Sequence, residues 1–333
     1  MDTKTAKIWR TVSDAVLGKP EISGAEVAER AGVPIDEARR FWQALGFPTV
    51  SSEEPIFTRR DADVLRFASQ LIEEGEIDPA VLLGMARASG QALARVANMH
   101  VSSVSDRIET VMRQPGLSSG DAADTIATLA ESIVRGHESF LGYIWRRHLL
   151  AAISQIVASA DTRTGDGETA TVGFADLVDY TAVTQQLSEW ELAAIVDRFE
   201  RIAYQHIPDR GGRVIKTLGD EVMFSHADPR AAADIALDLV TSCSADELLS
   251  DVRVGIATGP VLAWEGDLYG STVNLASRLV GVARPGTVLV SDDVAHRLEG
   301  DEAFTVREIP VVKLKGIGKA RPWVLRRREA NER

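Results

Sequence analysis

Apolar side chains in the first half of the chain recur three and four residues apart. Val64, Leu65, Ala68, Leu71 and Ile72 form one such series, and Val81 to Val96 another; this is the period of an amphipathic helix. A last helix is predicted from Glu138 to Ala158, carrying Phe140, Ile144, Leu149, Ile153 and Val157. The residues that follow, Asp161 to Glu168, read DTRTGDGE. They include no apolar side chain and mark a linker. Beyond it the pattern changes. Thr169–Leu177 is strand-like, Thr184–His206 is a long amphipathic helix, and Gly212–Leu218 and Glu221–His226 are short strands around Gly219-Asp220. Pro229–Cys243 is helical, Val252–Thr258 and Val261–Trp264 read as strands joined at Gly259-Pro260, and Ser271–Ala283 is helical. Short strands near Val288–Val290, Phe304–Ile309 and Trp323–Arg326 complete the pattern. Strand–helix–strand–strand–helix–strand is the order of a ferredoxin-like unit. The expectation is an α+β protein with a helical domain over 1–158, a linker over 159–168 and a ferredoxin-like domain over 169–328. No repeat at solenoid periods is present.

Composition narrows the function classes. The chain has 333 residues, 45% of them apolar, enough for two domains with their own cores. Its single cysteine, Cys243, excludes an intramolecular disulfide and a cysteine-cluster zinc site. No charge-free apolar run nears the roughly 18 residues of a membrane span, and Met1–Pro20 lacks the layout of a signal peptide. A cytoplasmic protein is expected. The net charge is −12, with 37 basic against 49 acidic residues. Through Leu150 there are 17 basic and 21 acidic residues, and beyond it 20 and 28. Neither half carries the basic surplus of a nucleic-acid partner.

Two aspartates stand where chemistry is done. Asp176 closes the first strand of the second half, and Asp220 lies in a tight turn 44 residues later. Turns between short strands bring carboxylates to a sheet rim, where two can face each other. Such a pair suits Mg²⁺ or Mn²⁺, which take a few carboxylates plus substrate phosphates. Two such ions assist phosphoryl-type transfer. Alone, the two aspartates favour a plainer reading, Asp176 as a loop cap and Asp220 as a turn residue.

The neighbouring motifs change that balance. Phe174-Ala175-Asp176-Leu177-Val178 with Thr181, then Ile215-Lys216-Thr217-Leu218-Gly219-Asp220-Glu221, then Gly266-Asp267-Leu268-Tyr269-Gly270-Ser271-Thr272-Val273-Asn274-Leu275-Ala276-Ser277-Arg278-Leu279 occur in this order. The series resembles the catalytic domain of the class III nucleotidyl cyclases over about Thr169 to Arg327. The resemblance implies that Asp176 and Asp220, with the Leu177 backbone carbonyl, hold two Mg²⁺ or Mn²⁺ ions per site. It makes Lys216 and Asp267 the purine-reading pair, Asn274 the ribose-orienting group and Arg278 the group facing charge at the α-phosphate. Lys315, in Val312-Lys313-Leu314-Lys315-Gly316-Ile317-Gly318, matches the triphosphate lysine. A lysine–aspartate pair implies adenine. The carboxylate accepts from the amino group and the ammonium donates to a ring nitrogen, whereas guanine would leave buried polar groups unpaired at a cost of about 1–3 kcal/mol.

The implied activity is conversion of ATP to 3′,5′-cyclic AMP and pyrophosphate. The implied site takes its metal carboxylates from one subunit and the other groups from a second, so one chain carrying both sets points to a homodimer. One departure lies in the phosphate loop, where Asp179 and Tyr180 replace the glycine and phenylalanine of many relatives.

In the first half, Val27–Val33, Ala38–Trp42, Leu45–Phe47 and Phe57–Ala62 resemble the helix–turn–helix and wing opening of MerR-type regulators. The second helix offers Asp36 and Glu37 beside Arg39 and Arg40, poor electrostatics for a phosphate backbone. A packing unit within a regulatory domain is the favoured reading. The whole layout resembles actinobacterial adenylyl cyclases whose amino-terminal domain inhibits the catalytic one and responds to acid. That makes 138–158 a lever, with His137 and His148 nearby as groups that could titrate, and leaves room for a small-molecule or proton effector. Two alternatives stay open: a DNA-binding regulator with an idle cyclase-like sensor domain, and a guanylyl cyclase.

Overall fold

The computed structural model describes residues 3–48, 53–114, 116–159, 168–178 and 187–328. The chain divides into two compact units, Met1–Asp161 and Thr162–Arg333.

The first unit is helical: α1 (Thr3–Leu17), α2 (Gly24–Ala31), α3 (Ile35–Ala44), α4 (Arg59–Glu73), α5 (Pro79–Arg113) and α6 (Ser119–Ser159). Ser23 caps α2 in a capping box with Glu26. The helix ends at Gly32, whose φ of 77° suits the left-handed turn into α3. Val27, Ala28, Ala38, Trp42, Ala62 and Leu65 form its core, with Phe57 stacked on Trp42 at 4.5 Å. A second core joins Ile8 of α1 to Ala122, Ala123 and Ile126 of α6.

Two helices exceed the sequence expectation. The one expected over Val81–Val96 runs from Pro79 to Arg113, and the one expected from Glu138 begins at Ser119. Gly136 sits inside α6 with open space around it, and an Arg135–Glu131 pair one turn apart supports the helix there. The far half of α6 leaves Phe140, Tyr143, Trp145, Leu149, Leu150, Ile153 and Val157 exposed. His137 of α6 lies with its ring 4.0 Å from that of His100 on α5, and its Nδ1 contacts the Ile133 carbonyl at 2.9 Å. His148 is exposed.

The second unit is built on β1 (Glu168–Leu177), α7 (Glu189–Asp209), β2 (Arg213–Leu218), β3 (Glu221–His226), α8 (Pro229–Ser244) and β4 (Val252–Trp264). There follow β5 (Asp267–Tyr269), α9 (Ser271–Val280), β6 (Val288–Val290), α10 (Asp292–Arg297), β7 (Phe304–Glu308), β8 (Val312–Leu314), β9 (Gly318–Ala320) and β10 (Trp323–Arg327). The main sheet runs β2-β3-β1-β4-β6-β10-β7. Its first four strands are antiparallel neighbours with β1 between β3 and β4. That is the ferredoxin-like arrangement, extended on the β4 side through the parallel pair β4–β6.

Strand alternation sends Ala175, Leu177, Val222, Phe224, Val254 and Ile256 to the face covered by α7 and α8. Val172, Phe174, Met223 and Ala257 point to the opposite face, where α9 lies with Ala276 and Val280.

Three expectations are corrected. Val252–Thr258 and Val261–Trp264 form one strand, β4, because Gly259-Pro260 does not turn the chain. Past Ile256 the partner β6 has ended, and β5 begins opposite only at Leu262; a proline in that one-sided window interrupts no central ladder. The helix expected from Thr184 starts after Ser188, which caps it in a box with Glu191; positions 184–186 lie outside the described residues. The helix expected to reach Ala283 ends at Val280. The linker positions 160–167 and the loop positions Asp179, Tyr180 and Thr181 also lie outside the described residues.

Helix α9 rests directly on Gly255 of β4. A Cβ there would stand 2.4 Å from the Val280 amide nitrogen and 2.5 Å from the Ala276 carbonyl oxygen. Gly255→Ala is therefore expected to destabilise the fold by about 1–3 kcal/mol or more, since backbone rather than a movable side chain must yield. Gly281→Ala, whose nearest contacts are 3.7 Å or more away, is the control. Thermal unfolding should separate the two by several degrees, and equal midpoints would refute this packing.

Candidate active site

The acidic edge is assembled by strand register. Asp176, near the end of β1, pairs with Glu221 at the start of β3 on one side and with Arg253 at the start of β4 on the other. Residues directly opposite in an antiparallel pair share a face, so all three side chains lie in one row on the α9 side of the sheet. Arg253 grips a single oxygen, with Nε 2.7 Å and Nη2 2.5 Å from Asp176 Oδ2. Asp220 occupies the β2–β3 turn, preceded by Gly219 at a φ of 67°, where a side chain would strain the backbone. Its carbonyl accepts from the Leu177 N–H at 3.0 Å, which ties the turn to the end of β1.

Crowding of acids shows in their protonation. Burial pushes the Asp220 carboxyl above its ordinary value, and the Asp176 carboxylate adds to this, against its own backbone amide and Arg253. Burial likewise raises Glu221, helped by Asp176 and Asp220 and opposed by Lys216 and Arg253. Such a site gains from a cation. Its donors are oxygens, and among the described residues no set of three or more His, Cys, Asp or Glu could hold a metal ion by itself. Oxygen donors of this kind are the type a hard dication takes.

A second cluster lies on the same sheet face. Lys216 of β2 stands opposite Met223, a residue of the α9-side core, and its Nζ donates to Asp267 Oδ2 at 2.5 Å. Asp267 opens β5 and its Oδ1 accepts from the Leu268 N–H at 2.8 Å, so both carboxylate oxygens are oriented. The two residues are 51 apart in sequence and meet because β5 folds back along β4.

Asn274 and Arg278 are exposed one turn apart on α9, while Leu279 is buried beneath them. Asn274 lines an open cavity of about 610 Å³ with Thr258, Ser271, Arg297, Gly316 and Ile317. Lys315 is exposed in the β8–β9 turn, next to Gly316. The structure thus brings Asp176 to Asp220 and Lys216 to Asp267, and sets Asn274 beside the turn that carries Lys315. Sequence reasoning missed Arg253 and assigned Glu221 no role, because register alone puts them beside Asp176.

Residues 164–327 match the family model described as the adenylate and guanylate cyclase catalytic domain, and residues 5–149 the adenylate cyclase regulatory domain. An adenylate cyclase of Glutamicibacter nicotianae is 34% identical over 322 residues, covering 92% of this chain and 79% of that protein. One from Streptomyces coelicolor is 34% identical over 330 residues, covering 91% and 85%. A pH-sensitive adenylate cyclase of Mycobacterium tuberculosis is 30% identical over 288 residues, covering 83% and 70%.

The raised carboxyls carry a stability consequence. A carboxyl whose pKa rises on folding binds its proton more tightly in the folded chain. Stability therefore falls as pH climbs from the ordinary carboxylate range through the raised value. Asp220→Asn removes the crowded charge and should raise the unfolding midpoint near neutral pH without divalent ions, with little change at about pH 4. A lowered midpoint at neutral pH would refute the crowding.

Proposed function

The chain belongs to the adenylate and guanylate cyclase family, and we propose that it converts ATP to 3′,5′-cyclic AMP and pyrophosphate. The observation that carries the choice of base is the Lys216–Asp267 pair. Adenine presents an amino donor to Asp267 and a ring acceptor to Lys216. Guanine presents a carbonyl where the carboxylate stands, leaving both partners unsatisfied.

Asp176, Asp220 and the Leu177 backbone carbonyl would hold Mg²⁺ or Mn²⁺. Bound there, two such ions lower the pKa of the ribose 3′-hydroxyl and neutralise phosphate charge. The residues of the chain do the rest. Asn274 orients the ribose so that its 3′-oxygen lies in line with the α-phosphorus. That oxygen forms the new bond to phosphorus as the bond to pyrophosphate breaks. Arg278 meets the charge growing on the α-phosphate, where a preaimed guanidinium lowers the barrier by a few kcal/mol. Lys315 holds the triphosphate.

The metal-holding groups act from one copy, and Lys216, Asp267, Asn274, Arg278 and Lys315 from the other, so a homodimer contains two equal sites. Tyr143, Leu150 and Val157 on the exposed far half of α6 stand seven residues apart, one row of the heptad seam along which a second copy would pair. Residues 1–158 serve as the regulatory domain, 159–168 as the linker and 169–328 as the catalytic domain. Among the described residues no helix is long and apolar enough to cross a membrane.

The purified chain with Mn²⁺ should form cyclic AMP from ATP at least tenfold faster than cyclic GMP from GTP. Asp176→Ala or Asp220→Ala should each abolish turnover. Mixing Asp220→Ala with Arg278→Ala protein should restore one working site per mixed dimer. No rescue in proven mixed dimers would defeat the shared site. Regulation is tested separately, by the pH–rate profile of the full chain against residues 162–333, a unit with its own core. Profiles that coincide would remove the acid response from the first unit.

A further inference from the structure

The end of β1 is held by the segment Ser250–Arg253. All described peptide bonds are trans, so the carbonyl and N–H of the Leu177–Val178 peptide point in opposite directions. That N–H, on Val178, donates to the Asp251 carbonyl at 2.8 Å. The Leu177 carbonyl is thereby turned away from Asp251. It faces the side where the Leu177 N–H meets the Asp220 carbonyl at 3.0 Å.

A second hold acts one atom group further on. The Ser250 hydroxyl donates to the Val178 carbonyl at 2.7 Å. Two consecutive residues, Ser250 and Asp251, thus grip both the N–H and the C=O of Val178. Their segment is itself anchored, because the Ser244 hydroxyl donates to Asp251 Oδ1 at 2.6 Å. Two residues later the same segment supplies Arg253, which holds Asp176. Ser250 is exposed, so water could satisfy the Val178 carbonyl in its place. The hydroxyl therefore contributes direction rather than the rescue of a buried acceptor.

We propose that Ser250 is a positioning residue for the dication site: its hydroxyl, acting with the Asp251 carbonyl, sets the Val178 peptide and through it the aim of the Leu177 carbonyl and Asp176. This rests on the reading of Asp176, Asp220 and the Leu177 carbonyl as the metal-holding groups.

The test uses full-length wild type, Ser250→Ala and Ser250→Thr. Mn²⁺ binding is followed by electron paramagnetic resonance with 3′-deoxy-ATP, which lacks the attacking hydroxyl. Ser250→Ala is expected to weaken Mn²⁺ binding roughly three- to tenfold, the equivalent of one hydrogen bond, and to raise the apparent KM for Mn²⁺ in step. Its thermal midpoint and its preference for ATP over GTP should stay unchanged. Ser250→Thr should restore binding to within about twofold, since it keeps the hydroxyl. Should Ser250→Ala fail to fold, Ser250→Cys, a weak donor of similar size, takes its place with the same expectation. Wild-type Mn²⁺ affinity in the variant lacking the hydroxyl would overturn the proposal. So would a loss confined to kcat and thermal midpoint, which marks a structural role alone. A wild-type chain that neither binds Mn²⁺ nor yields cyclic product would instead sink the site reading itself, and is told apart by that lack of product.

Discussion

The hold of Arg253 on Asp176 is the contact around which the catalytic unit is arranged. Three carboxylates gather at one sheet edge, and like charges at such range repel strongly in partly buried surroundings. One guanidinium, fixed by the antiparallel pairing of β1 with β4, offsets part of that repulsion. It takes only one oxygen of Asp176. The edge therefore keeps an acidic surplus, with Asp220 and Glu221 both raised by burial and by their acidic neighbours.

The rest of the unit supports that edge from below. Alternate residues of β1, β3 and β4 pack under α7 and α8, leaving the other face for charged groups and α9. Gly255 lets α9 lie against bare strand backbone, which fixes the height at which Asn274 and Arg278 stand. Lys216 and Asp267 share the same face through β2 and β5. One sheet face thus carries both the acidic edge and the Lys216–Asp267 pair.

Much of this was legible in the chain itself. Period-two and period-three-to-four patterning located the strands and helices because half-buried elements must alternate in those ways. The Gly219-Asp220 turn was readable because a tight hairpin demands a residue at positive φ. Less legible were element ends. The helix expected from Glu138 begins at Ser119, and Gly259-Pro260 passes straight through β4, since local propensity yields to the pairing with β1 that continues past it.

Sequence alone determined the main strands and helices, though not β5, α10, β8 or β9, together with the acids at strand ends and the motif residues, because these depend on neighbours a few positions apart. Only tertiary structure decided that Arg253 and Glu221 flank Asp176, that Lys216 reaches Asp267 across 51 positions, and that Ser250 grips Val178 across 72. Those contacts follow from strand register and chain crossing. A shift of one residue in either would turn every such side chain to the opposite face.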